Sequence, residues 1–114
     1  MNFSLQRLEA SFSDTGGVYV NTGVDEKDYF DSLINDIRNH AHEPFEVSAK
    51  VVAPGFPGEM DVGRDIKGLC VAHRRGYWLV YQPEEDIFYC FWGPDQHHLE
   101  APGIFGGALY CWSA

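Results

Sequence analysis

Residues Asp65–Trp92, DIKGLCVAHRRGYWLVYQPEEDIFYCFW, constrain the fold more than any other stretch of the chain. They read as three short strands joined by turns at Arg75-Gly76 and at Pro83-Glu84-Glu85-Asp86, because Gly and Pro-acidic clusters between aromatic and β-branched runs mark hairpins. Both faces of these strands are apolar. Tyr77, Leu79 and Tyr81 alternate with Trp78 and Val80, and Ile87, Tyr89 and Phe91 alternate with Phe88, Cys90 and Trp92. A strand with one wet face alternates apolar with polar residues. Here both sides of the sheet need a cover.

One cover is readable. From Asp25 to Ala41 the apolar residues Tyr29, Phe30, Leu33, Ile34 and Ile37 fall on one arc of a helix, opposite Asp28, Asp31, Asn35 and Arg38. Asp25 is the expected N-cap, and Glu26 and Asp28 suit the positive end of the helix dipole. Residues 2–12 are expected to form a strand, paired through the Ser13–Gly17 turn with Val18-Tyr19-Val20. The spacing of Leu5, Leu8 and Phe12 also fits a helix. Phe45–Ala53 alternates as a strand with one wet face, and a last strand is expected over Ala108–Ser113. Loops at Pro54–Gly63 and Gly93–Gly107 contribute Phe56, Met60, Leu99, Ile104 and Phe105. The expected fold is a single α+β domain over residues 1–114: a mostly antiparallel twisted sheet of about six or seven strands, with one main helix packed on one face.

A single helix about 10 Å wide leaves much of such a sheet uncovered. With neighbouring strands in step, Tyr77, Tyr81, Tyr89, Phe91, Tyr110 and Trp112 make an aromatic face that either the loops or a partner must bury.

The net charge of −9 and pI near 4.7 argue against direct nucleic-acid binding or an anionic membrane, since phosphate binding needs a basic face. They favour a basic protein partner, with Glu84, Glu85 and Asp86 as an acidic rim. Arg64, Lys67, Arg74 and Arg75 cluster, but read as strand-end charge. The segment MNFSLQRLEASF lacks a basic stretch followed by an apolar run, so a cytoplasmic location is expected.

No motif names a reaction. Cys70, Cys90 and Cys111 have no C-x-x-C spacing and lie in apolar runs, as reduced, buried thiols would. His97-His98 are adjacent on a loop and point apart. His40 and His42 flank the end of the helix, where a protonated imidazole suits the dipole. No catalytic residue, metal site or cofactor is expected. The glycines do not stand between a strand and a helix, so they form no phosphate loop.

As a type, this acidic α+β chain resembles the small immunity proteins that protect bacteria from toxins. The resemblance implies a non-enzymatic binding module that neutralises a cognate toxin domain, such as one of nuclease type, by covering it. Its expected partner-binding residues are Tyr77, Tyr81, Glu84, Glu85, Asp86, Tyr89, Tyr110 and Trp112. Two alternatives stand beside it. One is a small enzyme or ligand binder whose loops cover a pocket holding His73, His97 or His98. The other is a homodimer or larger oligomer that buries the aromatic face against itself.

Overall fold

The computed structural model describes residues 3–52 and 62–113. In chain order the elements are α1 (Phe3–Ser11), α2 (Glu26–His40), β1 (Ala41–Val51), β2 (Asp65–Arg74), β3 (Tyr77–Gln82), β4 (Ile87–Trp92), β5 (Leu99–Ala101), β6 (Phe105–Gly106) and α3 (Ala108–Ser113). The fold is α+β: one six-stranded, mostly antiparallel sheet with three helices, of which α2 is the main one.

The sheet closes on itself. Its order is β3-β2-β1-β5-β4, and β4 also pairs with β3, so these five strands form a ring, and β6 pairs with Phe88 and Tyr89 of β4 along the edge that β5 meets at Trp92. The meander β1-β2-β3-β4 is antiparallel, and β5 shuts the ring by pairing parallel to β1 and antiparallel to β4. The β2–β3 turn has positive φ at both central residues, 22° at Arg75 and 83° at Gly76, which matches the right-handed twist of the strands it joins.

This closure accounts for the two apolar faces. One face fills the ring with Val47, Ala49 and Val51 of β1, Ile66 and Cys70 of β2, Trp78 and Val80 of β3, Tyr89 and Phe91 of β4, and Leu99 and Ala101 of β5. Gly68 belongs to the close approach of β2 and β3: a Cβ there would lie 2.4 Å from Val80 Cγ1 and 3.0 Å from the Tyr81 carbonyl oxygen. The outer face carries Val71, Ala72, Leu79, Tyr81, Phe88 and Cys90. Three helices cover it: Leu8 and Phe12 come from α1 and its end, Leu33 and Ile37 from α2, and Leu109, Cys111 and Trp112 from α3.

Several expectations are corrected. The N-terminal hairpin is absent. Residues 3–11 are helical and Val18–Val20 are irregular, so the spacing of Leu5, Leu8 and Phe12 prevails over the alternation. The last strand is also a helix, and its unbroken apolar run reflects burial on almost all sides. Ser11 Oγ accepts a 2.9 Å hydrogen bond from the Ala108 amide, joining the two end helices.

Helix α2 is confirmed, with the Asp25 carboxylate accepting from the Asp28 amide at 2.9 Å. It passes directly into β1, which begins four residues earlier than expected. The strands are also not in step as assumed. The four-residue turn pairs Gln82 with Ile87 and therefore Tyr81 with Phe88. Tyr81 faces the helices while Tyr89 and Phe91 face the ring interior, so they do not share one aromatic face. Of the loop residues, Leu99 fills the ring, Phe105 packs beside that inner core and Ile104 beside the outer one. Phe56 and Met60 lie outside the described residues.

Candidate functional site

Two irregularities meet where β1 begins and β2 ends. Along β2, Cys70 pairs with Val80 but Ala72 pairs with Leu79, so Val71 is an extra residue. Along β1, Ala41 pairs with Ala72 and Phe45 with Cys70, which leaves His42, Glu43 and Pro44 opposite Val71. In a regular strand, residues three apart point to opposite faces. The bulge at Val71 resets that alternation and brings Cys70 and His73 to the same side, and the wider bulge in β1 adds His42.

The ligating atoms of these three residues all lie within 4.8 Å of one another, the one such His/Cys/Asp/Glu group among the described residues. His42 Nε2 is 2.8 Å from His73 Nδ1 and 3.7 Å from Cys70 Sγ. Aromatic rings hold both imidazoles: His73 stacks on Trp78 at 4.4 Å and 6°, and His42 on Phe45 at 5.0 Å and 18°. His42 Nδ1 is 2.9 Å from the Glu43 carbonyl oxygen. A carbonyl only accepts, so Nδ1 carries the proton and, in the neutral ring, the Nε2 lone pair points into the cluster. His73 Nδ1–H then donates to it.

The electrostatics disfavour the charged forms of His73 and Cys70. Burial, then the neighbouring His42 and His40, lower the His73 pKa below the ordinary imidazole value. Burial pushes the Cys70 thiol up to about 12, and its hydrogen is directed at the Ala72 carbonyl oxygen, 3.4 Å away. A cysteine nucleophile requires the opposite, a lowered pKa and a base accepting its proton. Cys90 and Cys111 are likewise buried and shifted upward by desolvation.

Next to this cluster, Asp36 of α2 braces three elements. It pairs with Arg74 of β2, accepts a 2.8 Å hydrogen bond from Trp112 Nε1 of α3, and lies 3.4 Å from His40 Nδ1. The Arg74 guanidinium also sits 4.8 Å over the Trp112 ring. Trp112 is therefore a buried strut and is not an exposed partner-binding anchor.

The other expected site residues are dispersed. Tyr81 and Tyr89 are almost fully buried on opposite faces of the sheet. Tyr77 is half-buried beside Trp92. Glu84 and Glu85 are exposed. Asp86 is committed internally: it takes a 2.6 Å hydrogen bond from the Tyr81 hydroxyl and two from the Arg7 guanidinium, at 2.9 and 3.0 Å. His97 and His98 are exposed, and His98 is tethered to Asp95 at 2.9 Å. They border a groove of about 650 Å³ along β1, away from Cys90 and Cys111.

Tyr110 of α3 is half-buried. With Tyr19, Tyr29, Val24 and Gly17 it lines a second groove of about 330 Å³. Tyr19 is 76% exposed and Val24 46%. Val24 leads directly into the acidic first turn of α2 (Asp25, Glu26 and Asp28). On its other side Tyr110 adjoins Gly106, which borders a third groove with Arg7, Asp14 and Asp86. Tyr19, expected in a hairpin strand, lies instead in an irregular segment, and no sequence pattern links it to Tyr110.

Compared with protein-family models, with curated proteins and with solved structures, the chain has no significant match. Among the described residues, no helix is long and apolar enough to cross a membrane.

Proposed function

We propose that this chain is a non-enzymatic protein-binding module, acting in the cytoplasm as an immunity-type inhibitor of a basic toxin domain. The observation that carries the reading is the tyrosine groove of Tyr19, Tyr29 and Tyr110 beside the acidic start of α2. Tyrosine supplies interface anchors that lose little side-chain entropy on binding, and the acidic rim speeds encounter with a cationic surface and selects for it.

Two further observations support it. Four of the eight cationic side chains, Arg7, Lys27, Arg38 and Arg74, are held in ion pairs with Asp86, Asp31, Glu9 and Asp36, so the surplus acidic groups dominate the outward field. The described thiols are buried and protonated, which suits a scaffold better than a nucleophilic enzyme.

The test is affinity capture from the native host at low and at high salt. It compares the wild type, Tyr19→Ala/Tyr110→Ala, and Glu26→Lys/Asp28→Lys, with thermal unfolding to check that each variant folds. A single near-stoichiometric basic protein should be captured. It should be lost with the tyrosine pair, and weakened by charge reversal more at low salt, where screening is weak. No captured protein, or capture indifferent to both substitutions, sinks the reading. A wild type that instead runs as a dimer, with the tyrosine variant monomeric, assigns the groove to self-association.

A further inference from the structure

We propose that His42, Cys70 and His73 form a binding site for one soft or borderline d¹⁰ metal ion, Zn²⁺ or Cu⁺. The proposal is independent of the protein-binding reading and rests on different residues.

The donor set selects the class of ion. One sulfur and two imidazole nitrogens suit Zn²⁺ and Cu⁺, whereas Mg²⁺ and Ca²⁺ require several oxygens. The positions fit as well. With Zn–S near 2.3 Å and Zn–N near 2.05 Å, a tetrahedral ion separates sulfur from nitrogen by about 3.6 Å and nitrogen from nitrogen by about 3.3 Å. The Cys70–His42 separation is 3.7 Å and the His42–His73 separation 2.8 Å. The third pair, Cys70 and His73, lies within 4.8 Å, so an ion that replaces the proton between the imidazoles parts them by roughly half an ångström and draws the Cys70 sulfur and His73 together.

The surroundings have the form of an outer coordination sphere. A metal-bound histidine donates its second N–H to a fixed acceptor, which orients the ring and makes it more basic. His42 does this through the Glu43 carbonyl oxygen. The flanking Phe45 and Trp78 rings restrict rotation of both imidazoles. The three donors converge only because two bulges interrupt neighbouring strands at one point, and bulges tend to mark places where a strand re-aims a side chain.

Binding balances simply. The Cys70 Sγ–H proton leaves to water. His73 loses its proton at Nδ1 and carries one at Nε2 instead. One proton is released per ion, with no change of oxidation state. Zn²⁺ would take water as a fourth ligand from the half-exposed imidazole side, while Cu⁺ is satisfied by three donors.

The experiment titrates the reduced full chain with Co²⁺, then displaces it with Zn²⁺, with Cu⁺ under anaerobic conditions as a separate arm. One equivalent should bind, with a sulfur-to-cobalt charge-transfer band that Zn²⁺ abolishes. Binding by Cu⁺ alone would assign the site to copper. Cys70→Ser should remove the band, and His73→Gln should weaken binding by at least about tenfold, the scale on which even outer-sphere partners act. The His97→Gln/His98→Gln variant should bind as the wild type does. If Cys70→Ser does not fold, X-ray absorption on the loaded wild type gives the same answer by finding one sulfur neighbour. No stoichiometric binding of either ion, an all-nitrogen/oxygen shell, or loss of binding in the His97/His98 variant overturns the site.

Discussion

The two faces of the β2–β3–β4 meander are equally apolar, yet they are buried in different ways. The inner face is covered by the sheet itself, which curls until β5 joins β1 and β4. The outer face is covered by α1, α2 and α3, which come from both ends of the chain. An all-apolar strand therefore reports that something covers both sides. It does not report whether the cover is local, remote or another molecule. The difference has an energetic corollary: the inner cover cannot be lifted without opening the ring, whereas a helix can detach from the outer face singly.

The sharpest probe is Phe91→Ala, at the ring interior. It should cost about 3–5 kcal/mol, with loss of the whole fold in one urea transition. A separate early transition would break the comparison. Leu8→Ala, on the buried side of α1, should cost about 2–5 kcal/mol. Its distinguishing effect is local: amide exchange should accelerate over residues 3–11 while β3 and β4 keep their protection. Equal acceleration everywhere would make the two layers one cooperative unit.

Gly68→Ala tests how tightly the ring is drawn. The added methyl meets Val80 and the Tyr81 carbonyl, so a loss of about 1–3 kcal/mol in thermal unfolding is expected. An unchanged midpoint would mean that the strands part easily there.

The smallest effect concerns the clasp on α1. The Asp86 carboxyl is held below its usual range by the Tyr81 hydroxyl and then by the Arg7 guanidinium. A depressed carboxyl contributes stability that is fully present above its unfolded pKa and is lost as pH falls through the folded value. An acid titration of the wild type should thus show a loss below the normal carboxylate range that Asp86→Asn lacks. Tyr81→Phe, which removes the hydroxyl donor alone, should cost about 1 kcal/mol.

Much of this architecture is legible in the sequence. Helix α2 declares itself through Asp25 and the Leu33–Ile37 face, and the three central strands through their turns. The pairing of Tyr81 with Phe88 was also within reach, since an even-numbered hairpin loop always joins residues of opposite parity. The ends were not readable in the same way. Leu109–Trp112 is apolar on every side, and over six residues a buried helix and a buried strand have no distinguishing period. Ring closure rests on three residues of β5 that carry no strong strand pattern of their own.

The His42–Cys70–His73 group was hidden for a physical reason. His42 reads as the end of a helix and Cys70 as a small hydrophobe, and in regular strands Cys70 and His73 would face opposite ways. Only paired bulges unite them, and nothing in the local composition announces a bulge. The grouping of Tyr19 with Tyr110 was obscured likewise, because it depends on residues 108–113 being a helix.

Ring closure also bears on the order of assembly. The parallel contact between residues 49–51 and 99–101 joins segments about fifty positions apart, a costly loop to close before its contacts form. Pairings between distant segments dominate slow folding. The β2–β3 and β3–β4 hairpins require only neighbouring sequence, so they should form early and wait with one apolar side exposed. Stopped-flow refolding of Leu99→Ala should then show folding slowed more than unfolding is accelerated, because docking of Leu99 belongs to the slow closing step. A chain that finishes itself with its shortest strands spends its most aggregation-prone moments as an open sheet.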